Sequence, residues 1–242
     1  SDVCSSDLTF AYDETKTILK DVSFTVNPGE SVALVGPTGA GKSTIVNLIS
    51  RFYNVNDGKV LIDDQDIADV TIHSLRAQMG IMMQDSFIFS GTIADNIRYG
   101  KLDATQEEIE KAGKIVCADP FIREMPKGYE TQVRERGSML SQGQKQLISF
   151  ARTLLCDPAI LILDEATSSI DVQTEKALQT GLNRMLKGRT SFIIAHRLST
   201  IRGCDKIMYI DDGGIAEAGT HEELMKKKGR YYKLYTAQKS LH

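Results

Sequence analysis

The 242-residue chain is 41% hydrophobic and 25% charged, a balance that supports a buried core and excludes a disordered chain. Its formal net charge of -3 provides no global basic field, so no nucleic-acid partner is expected. Four cysteines without a C-x-x-C pair fit neither a zinc site nor a disulfide framework, and no apolar run is long enough to span a bilayer; read alone, the chain is expected to be soluble in a reducing cytosol.

In chain order, Ser1 to Asp7 (SDVCSSD) is small and polar and reads as a lead-in that is not native sequence, with strand alternation starting at Leu8. Ile18 to Val26 alternates as a strand and is followed by the turn residues Asn27-Pro28-Gly29. Ser31 to Val35 is a short apolar strand, and Ile45 to Phe52 carries apolar residues at helical spacing. Lys59 to Ile62 is a strand, as is the segment from Met79. From Phe87 to Leu155 the chain reads as mostly helical. Thr105-x-x-Glu108 forms a capping box there, and Leu147, Phe150, Ala151, Leu154 and Leu155 share one apolar face. Ile160–Leu163 has the composition of a parallel strand buried on both sides. A helix is expected from Val172 to Leu186, then a strand over Ser191–Ala195 and a short helix near Ser199. Lys206–Ile210 and Ile215–Ala218 read as a hairpin around Asp212-Gly213-Gly214. Thr220-x-x-Glu223 caps a further helix, whose end is the solvated run Lys226–Lys228. The order implies an α/β core of residues 1–84 and 157–242, with an N-terminal antiparallel β part and a mixed or parallel sheet. A helical subdomain, residues 85–156, is inserted into it.

Gly36-Pro37-Thr38-Gly39-Ala40-Gly41-Lys42-Ser43 fits G-x-x-x-x-G-K-[ST] between an expected strand and an expected helix. Its glycines let backbone N–H groups converge on phosphates, and the helix N-terminus adds its dipole. In this reading Lys42 reaches the β- and γ-phosphates of a nucleotide, Ser43 ligates Mg²⁺ and Thr44 lies near the α-phosphate. Asp164-Glu165 ends the Ile160–Leu163 strand: an aspartate there holds Mg²⁺ through water, and the next carboxylate polarises the attacking water. An acidic pair after a strand is otherwise a helix cap, and the phosphate loop beside it favours the catalytic reading. Leu140-Ser141-Gln142-Gly143-Gln144 opens a helix as a second anion site, for which an ordinary N-cap is the alternative.

LSQGQ resembles the LSGGQ hallmark of ATP-binding cassette (ABC) proteins, and it stands in the family's order. Gln84 follows the phosphate loop, then come LSQGQ, Asp164-Glu165, Ser168-Ser169-Ile170-Asp171 and His196. The resemblance covers nearly the whole chain from Leu8 and implies a P-loop ATPase core. It makes Tyr12 the aromatic that stacks on adenine, with a core tyrosine as the alternative. Gln84 becomes the glutamine that contacts Mg²⁺ and relays its state, Asp164 the Mg²⁺ aspartate and Glu165 the general base. Asp171 communicates across a dimer, and His196 contacts the γ-phosphate. His221 lies inside a capping box and is expected to be structural. In the family, two domains bind head to tail, so that Ser141, Gln142, Gly143 and Gln144 of one close over ATP held by Lys42 of the other.

Thr131-Gln132-Val133-Arg134-Glu135-Arg136-Gly137 resembles the T-x-V-G-E-x-G segment of ABC exporters, with Arg134 in place of glycine, which leaves the local backbone open. Phe89–Gly100 and HRLST from His196 to Thr200 are also exporter-like, and YYKLYTAQ is similar to the end of a half-transporter. The resemblance therefore implies the ATPase motor of an exporter at the cytoplasmic face of a membrane, with a transmembrane domain fused upstream. The alternatives are an importer subunit, a DNA-repair or chromosome-structure ATPase, and a binding module with a dead site. Gln142 replaces the commoner glycine. This raises a heterodimer with a partner lacking the base, against a homodimer that tolerates the variant.

Overall fold

The computed structural model describes residues 1–13, 16–83, 86–164 and 171–240. The chain divides into two compact units. The first is Ser1–Met79 with Ala159–Glu165 and Gly188–His242; the second is Gly80–Pro158 with Ala166–Lys187.

The first unit contains an antiparallel sheet in which Val3–Ala11 lies between Thr17–Val26 and Asp57–Ile62, with Gln65–Asp66 on the far edge. The strand therefore begins at Val3, five residues before the expected start at Leu8. Alternation is the cause: Val3 is fully buried and Ser5 is buried with its hydroxyl donating to the Val22 carbonyl at 3.1 Å. A serine that satisfies its hydroxyl inside the sheet occupies a core position despite its polarity. The polar lead-in is thus built into the sheet.

The second sheet of this unit aligns Gly214–Gly219, Lys206–Asp211, Ser31–Val35, Thr190–Ile194 and Ile160–Asp164 in that spatial order. All but the terminal hairpin pair are parallel. Each residue of Ser31–Val35 and Thr190–Ile194 is buried, as a parallel strand covered on both faces requires. Burying each Leu, Ile, Val or Phe of these strands contributes about 1.5–3 kcal/mol. The helix after the phosphate loop is Lys42–Ile49, starting three residues before the expected Ile45 and ending at Ile49, with Ser50 as C-cap, rather than at Phe52. Arg51 follows in the left-handed region (φ 53°), which stops the helix.

The second unit is helical. Gln142–Leu155 packs against Ile93–Arg98, Gln106–Ile115 and Val172–Leu186. The Val172–Leu186 helix accordingly groups with this unit, whereas the sequence boundaries put residues 157–242 in the core. Its seat is close: a Cβ on Gly181 would lie 2.3 Å from the Val116 carbonyl oxygen. A two-stranded ladder pairs Gly91–Thr92 with Gln132–Val133. No helix among the described residues is long and apolar enough to cross a membrane.

Candidate functional site

Parallel register assembles the site in the first unit. Leu34 pairs with Ile194, and Ile194 with Asp164, so three adjacent strands end in step. The phosphate loop follows the first of these strands, His196 comes two residues after the second, and Asp164 closes the third. Ligands of parallel α/β sheets bind outside this carboxyl edge.

The loop needs glycine at two positions for different reasons. Gly36 has φ 137°, and a Cβ there would sit 2.0 Å from the Ile210 carbonyl oxygen. Gly41, the helix N-cap, has φ 105° and no side chain with which to cap. The amide donors of the first helical turn therefore remain available to an anion. Pro37, Thr38, Gly39 and Ser43 are exposed, while Ala40 and Thr44 are buried.

Lys42 donates from Nζ to the carbonyl oxygens of Gly36 and Pro37, each at 2.8 Å. Burial holds its ammonium below the ordinary lysine range, and the Asp164 carboxylate partly offsets this. Burial likewise raises Asp164 above the ordinary carboxylate range, opposed by His196 and Lys42. His196 Nε2 lies 4.0 Å from Asp164 Oδ1. A hydroxyl at Ser43 and a carboxylate at Asp164 are hard oxygen donors, and Mg²⁺ takes few protein ligands when phosphates complete its shell. The donor set therefore fits Mg²⁺, and no group of three His, Cys, Asp or Glu that could hold a metal ion occurs among the described residues.

Tyr12 follows the first strand and is 48% exposed, which sets aside the reading of it as a core residue. Its hydroxyl is 3.1 Å from Thr44 Oγ1. Sequence reading missed two rings around it: Phe10 and Tyr53 have centroids each 4.9 Å from that of Tyr12. The Phe10-x-Tyr12 spacing was a usable signal, because residues two apart share a strand face.

In the second unit, Ser141 caps Gln142–Leu155. Its Oγ accepts from the Gln144 amide at 3.2 Å, and the Ser141 amide donates to Gln144 Oε1 at 3.0 Å. Gln142 and buried Gly143 form the first turn of this helix, and Gln142 is absent from the positive-φ residues. Arg134 is likewise ordinary, extended at φ -81° and ψ 166°, so this position does not require glycine. Asp171 caps Val172–Leu186 by accepting from the Thr174 amide at 2.9 Å. Gln84, Glu165, Ser168, Ser169 and Ile170 lie outside the described residues. His221 contacts Tyr231 Oη at 2.7 Å, the structural role expected of it.

Two of the exporter-like segments, Phe89–Gly100 and Thr131–Gly137, meet in the second unit. Beyond the short ladder, Ile93 donates to the Thr131 carbonyl and Arg136 to that of Ile88. Beside them Phe87, Phe89 and Tyr99 form an aromatic row, with Phe89 and Tyr99 stacked at 4.5 Å. Arg152 lies over Phe89 and donates to the Phe87 and Asn96 carbonyls. Phe87 and Tyr99 are exposed.

The ABC transporter family profile matches residues 19–168. The chain is 54% identical over 232 residues to the uncharacterized ABC transporter ATP-binding protein YfiC of Bacillus subtilis, covering 96% of this chain and 38% of that protein. It is 52% identical to the probable multidrug resistance ABC transporter ATP-binding/permease protein YheH of the same organism, covering 96% and 35%. The solved structure of a bacterial Atm1-family ABC exporter with ATP bound superposes with a TM-score of 0.91 at 45% identity, covering 98% of this chain and 41% of that one. The chain thus spans about two fifths of the length of these relatives.

Proposed function

This chain belongs to the ABC transporter family, and we propose that it is the ATP-binding and ATP-hydrolysing motor of an exporter. One observation carries the reading: the phosphate loop, Asp164 and His196 stand on three adjacent parallel strands that end in step. That edge can grip a triphosphate, hold a cation beside it and offer a polar contact to its terminal group.

In this proposal the loop from Gly36 to Thr44 and Tyr12 bind ATP, while Ser43, Gln84 and Asp164 hold Mg²⁺, Asp164 through water. Mg²⁺ would neutralise charge on the transferring phosphoryl group. Glu165 takes the proton of the attacking water, and His196 orients the γ-phosphate. Ser141, Gln142, Gly143, Gln144 and Asp171 serve a second copy or a related subunit in a head-to-tail dimer. The capping box supports this: Ser141 Oγ accepts the Gln144 N–H, which leaves its proton for an anion. The aromatic row of Phe87, Phe89 and Tyr99, braced by Arg152, offers membrane-domain loops an exposed apolar face. The proposal also includes a transmembrane domain fused upstream and placement at the cytoplasmic face of a membrane, and relatives that join ATP-binding and permease parts support it.

The test is Mg-ATP turnover at high protein concentration with Glu165→Gln beside the wild type. ATP binding should persist in the variant while turnover falls about 100-fold or more, the scale of a lost general base. Turnover near wild type in Glu165→Gln would remove that residue from the role.

A further inference from the structure

Tyr12 does not stand alone. Its ring is 4.9 Å from Phe10 at 87° and 4.9 Å from Tyr53 at 84°, and those two rings are 5.8 Å apart. The three centroids form a compact triangle, so Phe10 and Tyr53 lie within one half of the space around the Tyr12 ring. Edge-to-face pairs of this kind fix ring orientation beyond what burial alone supplies.

The bracket is anchored on every side. Phe10 is buried in the antiparallel sheet. Tyr53 stands on the turn that follows the phosphate-loop helix, and two arginines hold that turn. Arg76 donates to the Ser50 and Arg51 carbonyls at 3.2 and 2.9 Å and lies 4.4 Å over the Phe52 ring. Arg51 reaches forward to the Ile67 and Val70 carbonyls. The Ala11 amide, next to Tyr12, donates to Asn56 Oδ1 at 2.8 Å and ties the strand end to the same loop. The Tyr12 hydroxyl then meets Thr44 Oγ1 on the helix that the phosphate loop feeds.

Tyr53 nevertheless keeps 47% of its surface exposed, next to a Tyr12 that keeps 48%. A ring serving packing alone has no need of so much wet surface beside a second exposed ring. We propose that Tyr53 is a positioning residue for nucleotide recognition, setting the orientation of Tyr12 so that its open side meets the base of ATP. This rests on the reading of Tyr12 as the adenine platform. The phosphate-loop helix through Thr44, and the turn after it through Tyr53, thereby control the base site as well as the phosphate site.

The experiment measures affinity for ATP and for inorganic tripolyphosphate in the 242-residue chain, with Tyr53→Leu, Tyr53→Phe and Tyr12→Ala. Tyr53→Leu should weaken ATP about two- to tenfold, the value of one aromatic pair, and leave tripolyphosphate unchanged. Tyr53→Phe should restore ATP affinity, because it keeps the ring. Equal effects of Tyr53→Leu on both ligands, or no effect on either, overturn the proposal. A Tyr12→Ala variant with an unchanged ratio of the two affinities overturns the platform itself, a distinguishable failure. Should Tyr53→Leu lower the melting temperature, Tyr53→Met replaces it with an unbranched, more adaptable apolar side chain. A Tyr12→Trp reporter also serves, since the chain has no tryptophan: its ATP-dependent quench should shift to higher ATP with the Tyr53 variant, and an unmoved quench counts against the proposal.

Discussion

Lys42 carries its charge on bonds to its own loop, Gly36 and Pro37, in a half-buried setting that lowers its pKa. A phosphate oxygen that takes over those bonds converts neutral acceptors into charged ones, and charge-assisted bonds contribute about 1.5–3 kcal/mol. Lys42→Ala should therefore weaken Mg-ATP about 10- to 100-fold by calorimetry, and unchanged affinity would mean the loop is not the phosphate site. Residue by residue, the loop was readable because its glycines, Lys42 and Ser43 stand in one contiguous string, although the close approach that Gly36 permits is to the distant Ile210 carbonyl. Tyr53 was not readable, since its partner Tyr12 lies forty-one positions away and only folding joins their rings. Arg134 was misleading in the opposite sense: a glycine-like position in a motif turned out to have extended backbone that any residue adopts.

Among the elements, Ser141 and Gln144 perform two tasks with one geometry. As a capping box they start the Gln142–Leu155 helix, and as proposed they also greet a partner's nucleotide. The tasks can be separated. Gln144→Glu keeps an acceptor at the third helical position, so thermal melting should move little. Its added negative charge should still depress turnover of the dimer. Gln144→Ala loses one arm of the box and should cost about 0.5–1.5 kcal/mol of stability, the net worth of one hydrogen bond, read as a lower melting temperature. If Gln144→Glu hydrolyses ATP like the wild type, the motif serves the helix alone. Elements of this kind were legible in sequence because caps and apolar runs are local: the Val172–Leu186 helix matched at both ends, and the Ile160–Leu163 run became a strand. The start of the first strand was illegible, since burial of Ser5 depends on a carbonyl seventeen residues on. The short helix Ile72–Ala77 escaped notice because it buries only Leu75 and so carries no periodic signal. Where the Val172–Leu186 helix belongs is a matter of packing, which no local pattern encodes.

For the whole molecule, the dimer proposed above has two candidate partners, a related subunit or a second copy of this chain. Gln142 has no positive φ, so the backbone gives no reason for the glycine of the commoner motif; only the reach of the glutamine side chain distinguishes the two. A heterodimer whose weak site is closed by this LSQGQ should show one vanadate-trapped nucleotide per dimer, and Gln142→Gly should alter turnover. Robust hydrolysis by the protein alone, unaffected by Gln142→Gly, would establish the homodimer instead. The three strands that end in step also govern where the chain can change length. One residue added inside Ser31–Val35, Ile160–Asp164 or Thr190–Ile194 turns every later side chain of that strand to the opposite face and shifts the phosphate loop, Asp164 or His196 off the common edge. Among distant descendants of this chain, insertions and deletions should therefore collect in turns and leave these three strands at fixed length, even where their apolar residues have been freely exchanged.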